Sequence, residues 1–215
     1  MDEVLALAGA QRVPVERVDA QTLDRAARGG VHQGVVAEIE AARDYDVTEL
    51  AAAGGATPLI VVLDGIEDPH NVGAILRTCD AAAATGVIRQ TRHSAALDGV
   101  VGKASAGALA SARIATVVNI ARAVEALKSA NVWTIGLAGD AGETYTDVDW
   151  TLPSALVLGA EGTGLRRLVR DTCDRVVRIP MLGTVDSLNV SVAAGVVLYE
   201  AVRQRKKQTM SKAKC

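Results

Sequence analysis

Pro58–Leu59–Ile60–Val61–Val62–Leu63–Asp64–Gly65 decides the fold. Five aliphatic residues run without interruption between a proline and an Asp–Gly pair, the pattern of a strand buried on both faces. Such a strand needs helices on either side, so an α/β domain with a mostly parallel sheet is expected. The downstream pattern agrees. Val72, Ile75, Leu76 and Cys79 fall at helical spacing within Asn71–Ala84, and Gly86 closes that helix. Val87–Ile88 begins the next strand. Leu97–Leu109 reads as one helix rich in Ala and Gly, suited to close packing on a neighbour. Ile114–Val118 is strand-like, and Asn119 caps a helix carrying Ile120, Val124 and Leu127. Val132–Leu137 and Ala155–Leu158 are further strands. Leu165–Arg170 is a short helix, Val176–Ile179 a strand and Leu188–Arg203 the closing helix.

Upstream, residues 1–40 mix apolar and charged positions and end near His32–Gln33–Gly34. Residues 41–57 form an Ala/Gly-rich linker with a short helix at Val47–Ala53. The main domain is expected over 58–205, followed by a basic tail over 206–215. Arg203, Arg205, Lys206 and Lys207, with Lys212 and Lys214 beyond, read either as a local basic patch or as a solvated end.

The bulk numbers exclude several classes. At 215 residues, 49% hydrophobic and 22% charged, the chain suits a packed domain with a small appendage. No apolar run is long enough for a membrane span. Met1–Asp2–Glu3 lacks the basic start of a secretory signal. Three cysteines, Cys79, Cys173 and Cys215, show no metal-ligand spacing, and their odd number fits a reducing cytoplasm. A net charge of -2 does not advertise nucleic-acid binding, which depends on a local basic face instead. With no Phe and 2% aromatics, an aromatic base-stacking platform is excluded.

Parallel sheets bind ligands at the carboxyl ends of their strands. Three strand-end loops here are polar and bear glycine. In Asp64–Gly73, Asn71 reads either as a helix cap or as a site residue. Arg77, six positions on, reads either as a guanidinium fork suited to phosphate or as a surface arginine on the polar helix face. In Leu158–Leu165, Gly162 and Gly164 either let backbone approach a ligand or merely permit a tight turn, and Glu161 places a carboxylate at the strand end. The Walker lysine and the dinucleotide G-x-G-x-x-G are both missing, which argues against an NTPase or a dehydrogenase. In Ile179–Ala193, Pro180 ends a strand, and Ser187 and Asn189 precede a helix whose first N–H groups need partners. Ser187 reads equally as the helix cap. Ile179, Met181 and Leu188 can clamp a flat heterocycle or simply fill the core.

In this order and spacing the three loops resemble the signature motifs of the SpoU (TrmH-like) branch of the SPOUT RNA methyltransferases. The matching blocks are Asp64–Asp80, Leu156–Leu168 and Val176–Arg205, with Lys103–Ala108 and Cys173–Asp174 in support. The resemblance implies an α/β fold whose carboxyl-terminal part is tied as a deep trefoil knot. It implies S-adenosylmethionine as cofactor, held by Gly159, Ile179, Leu188, Met181, Glu161, Thr134 and Leu137. It implies RNA as substrate, most often a guanosine of 23S rRNA, a homodimer, and no metal. Asn71, Arg77, Glu161, Ser187 and Asn189 are the catalytic residues so implied. Residues 1–40 would form part of an RNA-docking module resembling ribosomal protein L30e, about half of such a small domain. The rival readings are a tRNA or antibiotic-resistance methyltransferase of the same family, and a catalytically weak RNA-binding or assembly protein.

Overall fold

The computed structural model describes residues 1–27, 32–37 and 43–212. Val31, the 38–42 stretch around the expected linker start, and the tail positions 213–215 with Lys214 lie outside them. The chain divides into two compact units, Met1–Ala41 and Ala42–Cys215.

The first unit carries α1 (Asp2–Ala10) and α2 (Ala20–Ala26), neither with a buried residue. Asp19 caps α2 through the Thr22 N–H at 2.8 Å. The His32–Gln33–Gly34 segment is a turn. His32 Nδ1 accepts the Gly34 N–H at 2.9 Å, so Nε2 carries the hydrogen that faces Asp24 at 3.1 Å.

The second unit holds α3 (Val47–Ala53), β1 (Leu59–Asp64), α4 (Pro69–Ala81), β2 (Gly86–Gln90), α5 (Gly99–Ala104), α6 (Ala108–Ser111), β3 (Ile114–Val117), α7 (Ile120–Ser129), β4 (Trp133–Leu137), β5 (Glu143–Thr144), β6 (Ser154–Gly159), α8 (Arg167–Thr172), β7 (Arg175–Arg178) and α9 (Val190–Lys212). The seven strands form one sheet in the order β3-β2-β1-β6-β4-β7-β5, and every pairing is parallel. All six residues of β1 are buried, as its aliphatic run requires.

Strand alternation divides the core. Leu59, Val61 and Leu63 face the side covered by α4 and α9, with Ile75, Leu76, Val197 and Leu198. Ile60 and Val62 face the side covered by α3, α7 and α8, with Leu50, Val124, Leu127 and Val169. The second unit is therefore a helix–sheet–helix sandwich.

Three local expectations are corrected, and one strand was not foreseen. The helix expected over Leu97–Leu109 is two helices, because Ala106 and Gly107 take positive φ (51° and 92°) and break it. Its small residues do serve close packing: a Cβ on Gly73 of α4 would sit 2.3 Å from that of Ala104. Helix α4 starts at Pro69 under an Asp68 cap and ends at Ala81, so Asn71 is inside it and Gly86 belongs to β2. The two-residue β5 gives no periodicity to read. Finally, α9 runs through the 205/206 boundary to Lys212, and its basic residues are divided. Arg203 pairs with Glu200 at 2.7 Å. Arg205 turns inward: Nε donates to Trp150 O and Nη1 to Thr57 O, both at 2.8 Å, and Nη2 to Pro58 O and Leu152 O, both at 3.1 Å. Burial lowers its pKa. Lys206 and Lys207 stay exposed.

Candidate active site

The loops after β1, β6 and β7 meet at the carboxyl edge of the sheet, and Asn189 joins them. Its Nδ2 donates to Asn71 Oδ1 at 2.9 Å and to Glu161 Oε1 at 2.7 Å. Its Oδ1 accepts the Ser191 N–H at 2.9 Å, the Ser191 hydroxyl at 2.6 Å and the Val192 N–H at 3.4 Å. Only one orientation of the amide meets both sets, nitrogen toward the acceptors and oxygen toward the donors. Asn189 is thus both the cap of α9 and the joint between residues 118 positions apart in sequence. Ser187 is not the cap. It is exposed, and its Oγ lies 3.2 Å from Asp186 Oδ1.

Glu161, Ser187 and Asn189 border a cavity of about 800 Å³, and Asn71, buried and outside its lining, meets the site through Asn189. Leu137, Gly159, Glu161, Ile179, Met181, Ser187, Leu188 and Asn189 line it, as do Ala138–Asp140 and Ala160–Leu165. The lining combines backbone and apolar side chains with the polar groups of Glu161, Asp186 and Ser187. Gly159 is required by close approach: a Cβ there would lie 2.1 Å from the Gly164 carbonyl carbon and 2.3 Å from Leu165 N. The loop doubles back on itself, with the Gly164 N–H on Ala160 O at 2.8 Å.

Two expected residues sit elsewhere. Thr134 is fully buried in β4 and does not line the cavity; its N–H and hydroxyl donate to Asp174 Oδ2 at 2.9 and 2.7 Å. Burial pushes the Asp174 pKa up, but the Thr134 donors and Lys128, 3.0 Å away, outweigh it and hold the carboxyl below its ordinary value. Thr134 thereby ties β4 to the start of β7. Arg77 is exposed on α4, away from the cavity lining, with no hydrogen bond or ion pair among the described residues.

Sequence reading missed two groups. Asp140, on the cavity rim, takes both oxygens to Arg170 Nη1 at 2.8 and 2.9 Å, which lowers its pKa. The signal was present, since Ala138–Gly139–Asp140 is a fourth polar, glycine-bearing strand end. The second is Asp64, buried at the end of β1, with Arg166 and Gln90. Nothing in local spacing links those three.

The SpoU rRNA Methylase family profile matches residues 58–199, and a profile for RNA 2'-O ribose methyltransferase substrate binding matches residues 1–45. The chain is 47% identical over 208 residues to the 23S rRNA (guanosine-2'-O-)-methyltransferase RlmB of Pseudomonas putida, covering 95% of this chain and 84% of that protein. The Escherichia coli RlmB is 44% identical over 197 residues, 91% of this chain and 81% of its own. Among solved structures, the SpoU methyltransferase AviRb of Streptomyces viridochromogenes in complex with AdoMet is similar at TM-score 0.64 and 36% identity. That match covers 70% of this chain and 58% of AviRb. The A. aeolicus TrmH/SpoU tRNA modifying enzyme matches at TM-score 0.66 and 29% identity, over 76% of this chain and 84% of its own. The parallel sheet, the Asn189 joint and a match across two thirds of the sequence agree: the chain belongs to the SpoU rRNA methylase family.

Proposed function

We propose that the protein transfers a methyl group from S-adenosylmethionine to the ribose 2'-oxygen of a guanosine in 23S rRNA. The observation that carries this is Asn189, which lines the cavity beside Glu161 and bonds both Glu161 and the buried Asn71. The cavity fits the cofactor by its chemistry. About 800 Å³ accommodates a nucleoside-sized ligand. Gly159 admits close backbone approach, Ile179, Met181 and Leu188 with Leu137 suit the adenine, and Glu161 answers a positive charge. When bound, S-adenosylmethionine supplies an electrophilic sulfonium methyl. The relatives named for 23S rRNA guanosine set the target.

The protein's own task is to present a neutral hydroxyl, a poor nucleophile, in line with that methyl. Asn71, Ser187 and Asn189 orient ribose and cofactor. Glu161 Oε1 is occupied by Asn189, which leaves its second oxygen to accept a hydrogen bond from the ligand. Arg77 stays protonated and cannot serve as base. It anchors the target phosphate and stabilises charge developing on the 2'-oxygen. Exchange for lysine keeps the charge and loses the fork, so Arg77→Lys should retain only a small part of the activity; full activity would exclude both roles.

The same reading takes Met1–Ala41 as an L30e-like RNA-docking element and the cytoplasm as the place of action. No helix among the described residues is long and apolar enough to cross a membrane. It also takes the chain as a homodimer whose site is completed across the interface. Val192 and Tyr199, seven residues apart on α9 and each 52% exposed, form an apolar stripe suited to a second copy. A trefoil knot is consistent with β6 inserted between β1 and β4, and with α9 returning to pack on α4 beyond the β7 loop. The decisive experiment is mapping of ribose methylation in a strain lacking the gene. Loss of one 2'-O-methyl guanosine from 23S rRNA is expected, and a change confined to tRNA would favour the tRNA-directed relatives instead.

A further inference from the structure

The loop that carries Glu161 leaves β6 at Gly159 and must return without losing its place. Glu161 itself is exposed, and its recorded partner is Asn189. What fixes the loop lies at its two ends. In the sheet, Gly159 is the register partner of Asp64 on β1. At the other end, Arg166 returns to the same Asp64: its backbone N–H donates to Oδ2 at 2.9 Å and its Nε to Oδ1 at 2.6 Å. One residue thus meets the loop at both feet, by its backbone register at Gly159 and by its carboxylate at Arg166.

The pair is asymmetric in burial. Asp64 is 1% exposed, and Arg166 is the cation recorded against it. A buried carboxylate stripped of its partner is costly, so the partner is held in place by that demand. Arg166 then reaches one strand further, with Nη2 on Gln90 Oε1 at 2.7 Å. Its guanidinium spans β1 and β2, a fork geometry that an ammonium cannot reproduce. From Asp64 the chain also runs directly into the segment that delivers Asn71. Asp64 therefore stands at the origin of one of the loops that Asn189 joins and holds the return of a second.

We propose that Asp64, Arg166 and Gln90 are positioning residues for the methyl transfer: they hold the 160–165 loop so that Glu161 reaches Asn189 and the loop backbone faces the cofactor. None of the three lines the cavity. Their influence is transmitted through loop geometry, where displacement by about 1 Å can cost on the order of 100-fold in rate. This inference rests on the reading of the cavity as an S-adenosylmethionine site.

The test uses the full chain, S-adenosylmethionine titrated calorimetrically, and a 23S rRNA transcript as methyl acceptor. Arg166→Lys should weaken cofactor binding roughly tenfold and lower kcat at least as much, with KM for RNA unchanged. Gln90→Leu removes only the outer acceptor and should weaken binding about two- to threefold in a protein of near wild-type melting temperature. Restoration at that outer position by Gln90→Glu should return the affinity to within about twofold of wild type. A lower melting temperature in Arg166→Lys with unchanged cofactor Kd and kcat would mean a merely structural pair and overturn the inference. If Arg166→Lys does not fold, Gln90→Leu decides, and wild-type affinity and turnover there overturn it. Absence of cofactor binding by the wild-type chain would instead sink the proposed function, a separate outcome.

Discussion

The two edges of the sheet are stitched by the same helix in opposite ways. At the carboxyl edge, α9 begins with Asn189, which caps the helix and also reaches two side chains, Asn71 and Glu161, the second with hydrogen-bonding capacity left toward a cavity. At the amino edge, α9 carries Gln204 and Arg205, whose partners are backbone apart from one bond from Gln204 Nε2 to Glu200 Oε1 at 2.8 Å. Gln204 accepts the Trp150 N–H at 3.0 Å and donates to Val148 O at 3.1 Å, while Arg205 spends its fork on four carbonyls ahead of β1 and β6. Trp150 seals this edge, fully buried with its indole N–H on Tyr145 O at 2.8 Å. A polar cluster saturated by backbone has no capacity for a ligand and stabilises the fold. A polar cluster that ties side chain to side chain and keeps lone pairs free is built for recognition. The same residue types, a long cation and primary amides, take either role according to what remains unsatisfied.

Four measurements would break or sharpen this contrast. Asn189→Ala should reduce methyl transfer by roughly 100-fold or more, since it releases two loops at once. Its stability cost should be only that of a lost helix cap, about 1 kcal/mol. An equal loss of activity and stability would erase the distinction. At the other edge, Trp150→Ala should cost about 3–5 kcal/mol in denaturant unfolding. The folded fraction should bind S-adenosylmethionine with wild-type affinity. Arg205→Met retains the packing of the stem and strips four carbonyls of their donor, so a loss of about 2–3 kcal/mol is expected with kcat unchanged. A drop in kcat would show that the amino edge communicates with the site.

The smallest effect concerns Cys79, buried in α4, whose thiol burial and neighbouring Asp80 push up from 9.0 to about 12. The folded state favours the neutral thiol. The resulting stability is complete below pH 9 and is lost as pH rises toward 12. Urea unfolding at pH about 8 and about 10 should therefore show a smaller alkaline loss in Cys79→Ala than in the parent protein.

What could be read in advance follows from the range of the interactions. The strands were legible because a parallel strand covered on both sides needs an unbroken aliphatic run, and Leu59–Leu63 is one. Val72, Ile75, Leu76 and Cys79 gave α4 by periodicity, although the proline start and Asp68 cap displaced Asn71 from the role of cap to a position facing Asn189. The break at Ala106–Gly107 was overlooked because Gly107, the one turn signal there, lies among small residues that also suit close helix packing. Most of the cavity wall, Gly159, Glu161, Ile179, Met181, Ser187, Leu188 and Asn189, was named through the family resemblance. Residues 118 positions apart are not joined by spacing rules. Arg205 was misread for the converse reason: in sequence it sits beside Lys206 and Lys207, and only the tertiary fold shows it facing carbonyls. Asp64 and Arg166 escaped because a buried ion pair leaves no periodic trace.

Helix α9 also acts as a ruler. Asn189 and Arg205 are sixteen residues apart, about 24 Å along a helix axis, a span comparable to the roughly 20 Å length of a six-residue strand such as β1. Both ends are seated only if the helix keeps its count. Removing or adding one residue between them would shift one end by about 1.5 Å and rotate it by about 100°. Substitutions on the exposed face of α9 should therefore be far better tolerated than any change in its length.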